Sequence, residues 1–228
     1  MVSETSRFVM HFGVRVDKTR PSACINRETY TQVSTHESFH TYAYAKYMIE
    51  KGQAGHLILD EEKRQAIYSE SYCHMLRERA LINYDINMSR FDALDAREFA
   101  DTLNAYITKH HFVEITDLKC SKFSDPYECG VEGYLYIMVL GQYKQVYIGM
   151  TRSALVTRIR QHWGKKKPLD RLVFGSVENS RISIDSFGAL DTTQIFAKPY
   201  RGKKLFGLEE LESRYIHAFD RRFVLNRL

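Results

Sequence analysis

The 228-residue chain lacks any apolar run long enough to span a bilayer, and its first residues lack the basic-then-apolar pattern of a secretory signal. The first absence argues against a helical membrane protein, so no membrane partner is expected, and the second makes the cytoplasm the expected address. No Cys-x-x-Cys pair joins its four cysteines, Cys24, Cys73, Cys120 and Cys129. A disulfide framework therefore has no support, and a reducing compartment would hold the four as scattered thiols. Internal repeats and low-complexity segments are absent as well. What remains is an ordinary globular composition, 44% hydrophobic and 27% charged, sufficient to bury a core in one or two domains.

Charge is unevenly spread. Residues 130–228 hold 17 Lys and Arg against 9 Asp and Glu, whereas residues 1–129 hold 16 against 19, so the net +5 arises wholly in the C-terminal part. Two basic clusters stand out there, Trp163-Gly164-Lys165-Lys166-Lys167 and Lys198-Pro199-Tyr200-Arg201-Gly202-Lys203-Lys204. Such clusters suit a phosphate backbone, with Trp163 or Tyr200 available to stack on unpaired bases; a solvated lysine turn is the plainer alternative.

The N-terminal part reads as mainly helical. Apolar residues recur at helical intervals over 27–50, 60–84 and 92–110, Gly52 and Gly55 mark a break, and residues 8–16 suggest one strand. Residues 119–129, containing Ser124-Asp125-Pro126, read as a linker. The expected division is a helical region over 1–125, for target recognition or assembly, and a second domain over 130–228. Within the first lies His36-Glu37-Ser38-Phe39-His40, a match to His-Glu-x-x-His. On a helix its histidines would share a face and could ligate zinc, with Glu37 as base, which makes a zinc peptidase one reading and a chance match the other.

The densest chemistry runs from Gly133 to His162. Two β-rich stretches, Tyr134–Leu140 and Gln145–Ile148, flank a four-residue link containing Gly141, which predicts a hairpin. Tyr136 and Tyr147 then sit on adjacent antiparallel strands, where same-face side chains meet. Gly149 should end the second strand and Thr151 or Ser153 cap a helix that carries Arg158 and His162 four apart on one face. Two phenols, a guanidinium and an imidazole are thereby brought together.

These residues resemble the GIY-YIG nuclease superfamily. Tyr147-Ile148-Gly149 matches the second half of its signature, and Tyr134-Leu135-Tyr136 stands where Gly-Ile-Tyr is usual, keeping the tyrosine. The spacing of eleven between Tyr136 and Tyr147 fits, as does Leu155-x-x-Arg158-x-x-x-His162. The resemblance covers roughly residues 132–228 and implies an α+β fold, a small mixed sheet flanked by helices after the mainly helical N-terminal region. It implies a metal-binding glutamate on a later helix, where Glu212 fits best and Glu209 and Glu210 are rivals. Asn226 resembles the asparagine that closes many of these domains.

The resemblance further implies a metal-dependent endonuclease with a restriction-like, mobile-element or phage-related role, DNA being favoured because most of the family acts on it. Tyr136 would be the general base, Tyr147 would position water or phosphate, and Arg158 would clamp a phosphate oxygen. His162 would take a proton or bond phosphate, and Glu212 would hold Mg²⁺ or Mn²⁺. Arg160, Trp163, Lys165, Lys166, Lys167, Lys203, Lys204 and Asn226 would contact nucleic acid. A phenol of ordinary pKa, about 10, is a poor base at neutral pH, so it needs charge to favour its phenolate or a group to pass the proton to. A nucleic-acid-binding protein that has lost catalysis is the alternative. Because one such domain supplies one cutting site, a homodimer is compatible with cutting both strands.

Overall fold

The structure, a computed structural model, describes residues 7–202 and 207–226. Its class is α+β. In chain order it forms β1 (Phe8–His11), β2 (Val14–Asp17), α1 (Tyr42–Glu50), β3 (Leu57–Asp60), β4 (Gln65–Tyr68), α2 (Glu70–Asp92) and α3 (Ala96–His110). Then come β5 (Val113–Glu114), β6 (Gly133–Leu140), β7 (Gln145–Thr151), α4 (Leu155–Gly164), β8 (Gln194–Tyr200) and α5 (Gly207–Ala218). No helix among the described residues is long and apolar enough to cross a membrane.

The chain makes two compact units, one of Met1–Ile25, Met88–Lys165 and Ser183–Leu228, the other of Asn26–Asn87 and Lys166–Ile182. This differs from a division between residues 1–125 and 130–228. Phe99, Leu103 and Tyr106 of α3 belong to the same core as β6 and β7, so burial joins the expected N-terminal helix to the C-terminal sheet. Residues 119–129 form a loop within the first unit, where Phe123 packs on Tyr134 with ring centroids 5.3 Å apart.

In the second unit, the helix expected over 27–50 is found only as α1, capped by Thr41, whose side chain accepts from the Tyr44 N–H. Residues 57–68 form an antiparallel hairpin, Leu57 opposite Tyr68 and Ile58 opposite Ile67. Their β-branched and aromatic content, in stretches of four, reads equally as helix or strand until tertiary packing decides. The His-Glu-x-x-His motif is not helical: Glu37 makes an antiparallel bridge with Ile67, and the His36 ring meets the Arg77 guanidinium at 2.5 Å. The helical spacing that would have set both histidines around zinc is therefore missing. Segment 166–182 is tied to α2 by Asn83, whose Nδ2 donates to the Val177 and Ser180 carbonyls at 2.6 and 2.8 Å.

In the first unit, residues 8–17 form a hairpin rather than one strand. Phe12 and Gly13 both take positive φ, 47° and 72°, the turn that matches the twist of paired strands. The main sheet has the order β5-β8-β6-β7 and is antiparallel throughout, not mixed as the resemblance implies, because each neighbouring pair runs in opposite directions. β6 is buried at all eight positions. Leu135, Ile137 and Val139 join Val146, Ile148 and Phe196 in a core with α3 and α5, while the alternation of a strand turns Tyr136, Met138 and Tyr147 to the opposite face.

β7 lies at the sheet edge, where unpaired backbone groups would invite another strand. Its outward groups are covered. The Leu225 N–H donates to the Val146 carbonyl at 2.9 Å. Asn226 accepts from the Ile148 N–H at 2.9 Å and donates to its carbonyl at 2.7 Å.

A buried carboxylate also stitches this unit. Asp191 accepts from the Ile25 and Gly188 N–H groups at 2.8 and 2.7 Å and from the Tyr143 hydroxyl at 3.0 Å. Burial nonetheless pushes its pKa up to about 6, against the pull of those donors. A raised folded pKa means a stability contribution fully present below the ordinary value and lost as pH rises through about 6. Asp191→Asn should therefore gain on the wild type by about 2 kcal/mol between pH 4 and pH 7. Denaturant titrations of both proteins across that range check this; a constant difference would mean that the carboxyl titrates normally.

Candidate active site

All groups of the site belong to the first unit. Tyr136 lies opposite Gly149 and Tyr147 opposite Met138 in the β6–β7 register, so the two tyrosines are diagonal neighbours on one face, with ring centroids 6.2 Å apart. Gly149 makes this possible. A β-carbon there would stand 2.5 Å from the Tyr136 ring and hydroxyl and 2.8 Å from the Tyr147 ring. β7 continues beyond Gly149 to Thr151 rather than ending at it.

Helix α4 covers this face. Its N-cap is Ala154, without a side-chain cap; the Thr151 hydroxyl instead accepts from the Ser153 N–H at 3.0 Å, which shapes the turn into the helix. Arg158 and His162 then project from one face. The Tyr136 hydroxyl lies 2.8 Å from His162 Nε2 and accepts from Arg158 Nε at 3.3 Å. His162 Nδ1 meets Asp185 Oδ1 at 2.6 Å, and Asp185 Oδ2 pairs with Lys165 Nζ at 3.0 Å. Both nitrogens of His162 are thus committed within the protein, which leaves neither for a phosphate.

A cavity opens over these groups, with Tyr147, Arg158, His162, Lys165, Asp185 and Glu212 in its wall. Tyr147 is the partly exposed phenol, while Tyr136 is fully buried. Burial drives the Tyr136 hydroxyl well above the ordinary phenol range, with Tyr147 adding to it and Arg158 opposing. Burial, then Glu212, also raises Tyr147, opposed by Arg158. Neither phenol is a ready phenolate, so a proton arriving at Tyr136 needs an onward acceptor, and His162 is in contact.

Of the three candidate glutamates only Glu212 reaches the cavity. Glu209 is bound by Arg152 at 2.6 and 2.8 Å, and Glu210 pairs with Arg214 on the surface. Burial raises the Glu212 carboxyl, countered by a hydrogen bond from the Met150 N–H and by Arg158. A half-buried carboxylate held up by desolvation gains from a cation. No group of three or more His, Cys, Asp or Glu arranged to hold a metal occurs among the described residues. One carboxylate on an open cavity still fits a hard ion that retains several waters.

The basic residues expected at nucleic acid divide. Arg158, Arg160, Gln161 and Lys165 line a shallow groove along α4 that shares Arg158 and Lys165 with the cavity. Trp163 is not free for stacking: its Nε1 donates to Thr192 Oγ1 at 3.0 Å and its ring lies 6.1 Å from that of His11. Tyr200 packs against the core, and Lys198 Nζ donates to the His110 carbonyl and the Tyr215 hydroxyl. The side-chain amide of Asn226 is taken by Ile148, so it holds the strand that carries Tyr147. Lys166 and Lys167 belong to the second unit, and Lys203 and Lys204 lie outside the described residues.

Asp185 was not visible as a site residue in the sequence. It follows His162 by 23 positions and belongs to no motif; the one available signal is an acidic residue between Ile182, Ile184 and Phe187, all buried, a setting that calls for a charged or hydrogen-bonding partner.

Gly149→Ala should displace Tyr136 or Tyr147 and destabilise the fold by about 1–3 kcal/mol, the usual cost of overpacking. Thermal melts together with near-ultraviolet circular dichroism of the tyrosines check it; an unchanged melt and spectrum would show that the strand pair yields freely. Compared with known proteins, the chain matches no family model, no curated protein and no solved structure.

Proposed function

We propose that the chain is a metal-dependent endonuclease of the GIY-YIG kind, hydrolysing phosphodiester bonds in nucleic acid, with DNA as the favoured substrate. The observation that carries this reading is the convergence of Tyr147, Arg158, His162 and Glu212 on one cavity from β7, α4 and α5, with Tyr136 of β6 buried behind it in contact with Arg158 and His162. The α+β class and the seating of α4 on the tyrosine face of the sheet support the reading.

Hydrolysis needs an oriented water, neutralised phosphoryl charge and a path for the water's proton. Arg158, charged at every working pH, supplies the first neutralisation, its guanidinium lying in the cavity wall. Glu212 would hold one Mg²⁺ or Mn²⁺, which supplies further polarisation of the phosphate when bound. Tyr147 is the phenol in reach of a water in the cavity, and Tyr136, behind it, passes a proton to His162. This places Tyr136 one step inward of the general-base position that the family resemblance implies for it. Arg160 and Lys165 along the α4 groove offer charge to the flanking backbone.

Supercoiled plasmid and single- and double-stranded oligonucleotides, incubated with Mg²⁺, Mn²⁺ or EDTA, test the reading. Cleavage should require the metal and fall by at least about 100-fold in Glu212→Ala, with DNA affinity within about threefold, because the lost group acts in the transition state more than in binding. Glu209→Ala should cut at the wild-type rate. DNA binding by the wild type without cleavage of any substrate would favour a binding protein instead.

A further inference from the structure

We propose that Asp185 is a positioning residue for this site, fixing His162 as the Nδ1–H tautomer so that Nε2 is free to take the Tyr136 proton. The inference rests on the nuclease reading for its catalytic part and on geometry alone for the tautomer. A carboxylate can only accept, so the 2.6 Å contact between Asp185 Oδ1 and His162 Nδ1 puts the proton on the nitrogen. Nε2 of a neutral ring is then an acceptor, and the Tyr136 hydroxyl at 2.8 Å must donate to it. Arg158 Nε fills a lone pair of the same hydroxyl. The hydrogen bonds linking Arg158, Tyr136, His162 and Asp185 therefore all run in one direction, the arrangement in which a buried polar network is mutually supporting.

Lys165 completes the arrangement. Its ammonium lies 3.0 Å from Asp185 Oδ2, and with His162 on Oδ1 the carboxylate is held from both sides. The Asp185 side chain is only 10% exposed, so this charge is poorly screened and is well placed to stabilise an imidazolium. During hydrolysis the water oxygen bonds to phosphorus as the bond to the leaving oxygen breaks. The water's proton enters the phenol pair, and an equivalent proton leaves Tyr136 for His162 Nε2. The leaving oxygen is protonated from solvent, and His162 returns its proton to solvent after turnover, so no redox partner or further reactant is needed.

Lys165 also sharpens the test. In Asp185→Asn the ammonium, a pure donor, will hold the amide oxygen and leave the NH₂ facing His162. That amine must donate to Nδ1, which moves the ring proton to Nε2 and removes the acceptor for Tyr136. The substitution is isosteric, so folding is expected to survive. In ¹⁵N-histidine-labelled protein at pH 8, the wild-type His162 should show its proton on Nδ1 and Asp185→Asn should show it on Nε2. Cleavage by Asp185→Asn should fall about 100-fold or more, with DNA affinity within about threefold. Adding Lys165→Met frees the amide to turn over, and should return the Nδ1–H signal.

A wild-type proton on Nε2, or an Asp185→Asn protein that cuts at the wild-type rate, overturns the proposal. If the wild type cuts no substrate, the nuclease reading and the catalytic role of Asp185 fall together. The tautomer assignment then stands or falls on the nitrogen spectra by themselves.

Discussion

The hydrogen bond between the Tyr136 hydroxyl and His162 Nε2, made over the bare backbone of Gly149, is the contact on which the site depends. It joins an inner strand of the sheet to the helix that covers it. A β-carbon at Gly149 would occupy the space of the phenol. Without that phenol, His162 would have a buried nitrogen facing nothing, a loss of about 1–3 kcal/mol on general grounds. Orientation then propagates outward, to Arg158 on one side and to Asp185 and Lys165 on the other.

A second constraint is the treatment of the sheet edge. β7 carries Tyr147 into the cavity wall and, among the described residues, is flanked on its outer side only by the isolated bridge of Val146 with Val224. Leu225, Asn226 and Glu212 take up its outward backbone groups at Val146, Ile148 and Met150. The carboxylate proposed to hold the metal is thus also a partner of the strand whose tyrosine lines the cavity. Closing the edge and placing the carboxylate are one event, which fixes Glu212 on α5 relative to a group on a different element. Glu209 and Glu210, on the same helix, are spent on surface arginines and contribute nothing to the cavity.

The sequence made legible what depends on local pattern. The β6–β7 hairpin, the tyrosine pair and α4 with Arg158 and His162 follow from spacing within thirty residues or fewer, whereas the helix bearing Glu212 was pointed to only by what the resemblance implies. What it could not show depends on partners distant in the chain. Residues 27–50 and 60–84 have apolar residues at intervals that fit a helix, but 27–41 form turns with an isolated bridge from Glu37 to Ile67, and 65–68 pair with 57–60 as a hairpin. The second unit is made of two separate stretches of chain because segment 166–182 rejoins Asn83 and Asn87, and no composition shift announces that return. Trp163 looks like a stacking platform in one dimension and is a hydrogen-bonded packing residue in three. Asp185, which holds His162 Nδ1, has no motif at all, because its place comes from meeting His162 and not from its neighbours in sequence.

The Tyr136→Phe protein tests the centre of this picture most directly, since one oxygen is removed and the ring that packs over Gly149 is kept. Under single-turnover conditions with saturating DNA and Mg²⁺, the cleavage rate should drop by about 100-fold or more while the dissociation constant for DNA stays within about threefold. A rate equal to that of the wild type would contradict a catalytic path through Tyr136 and His162.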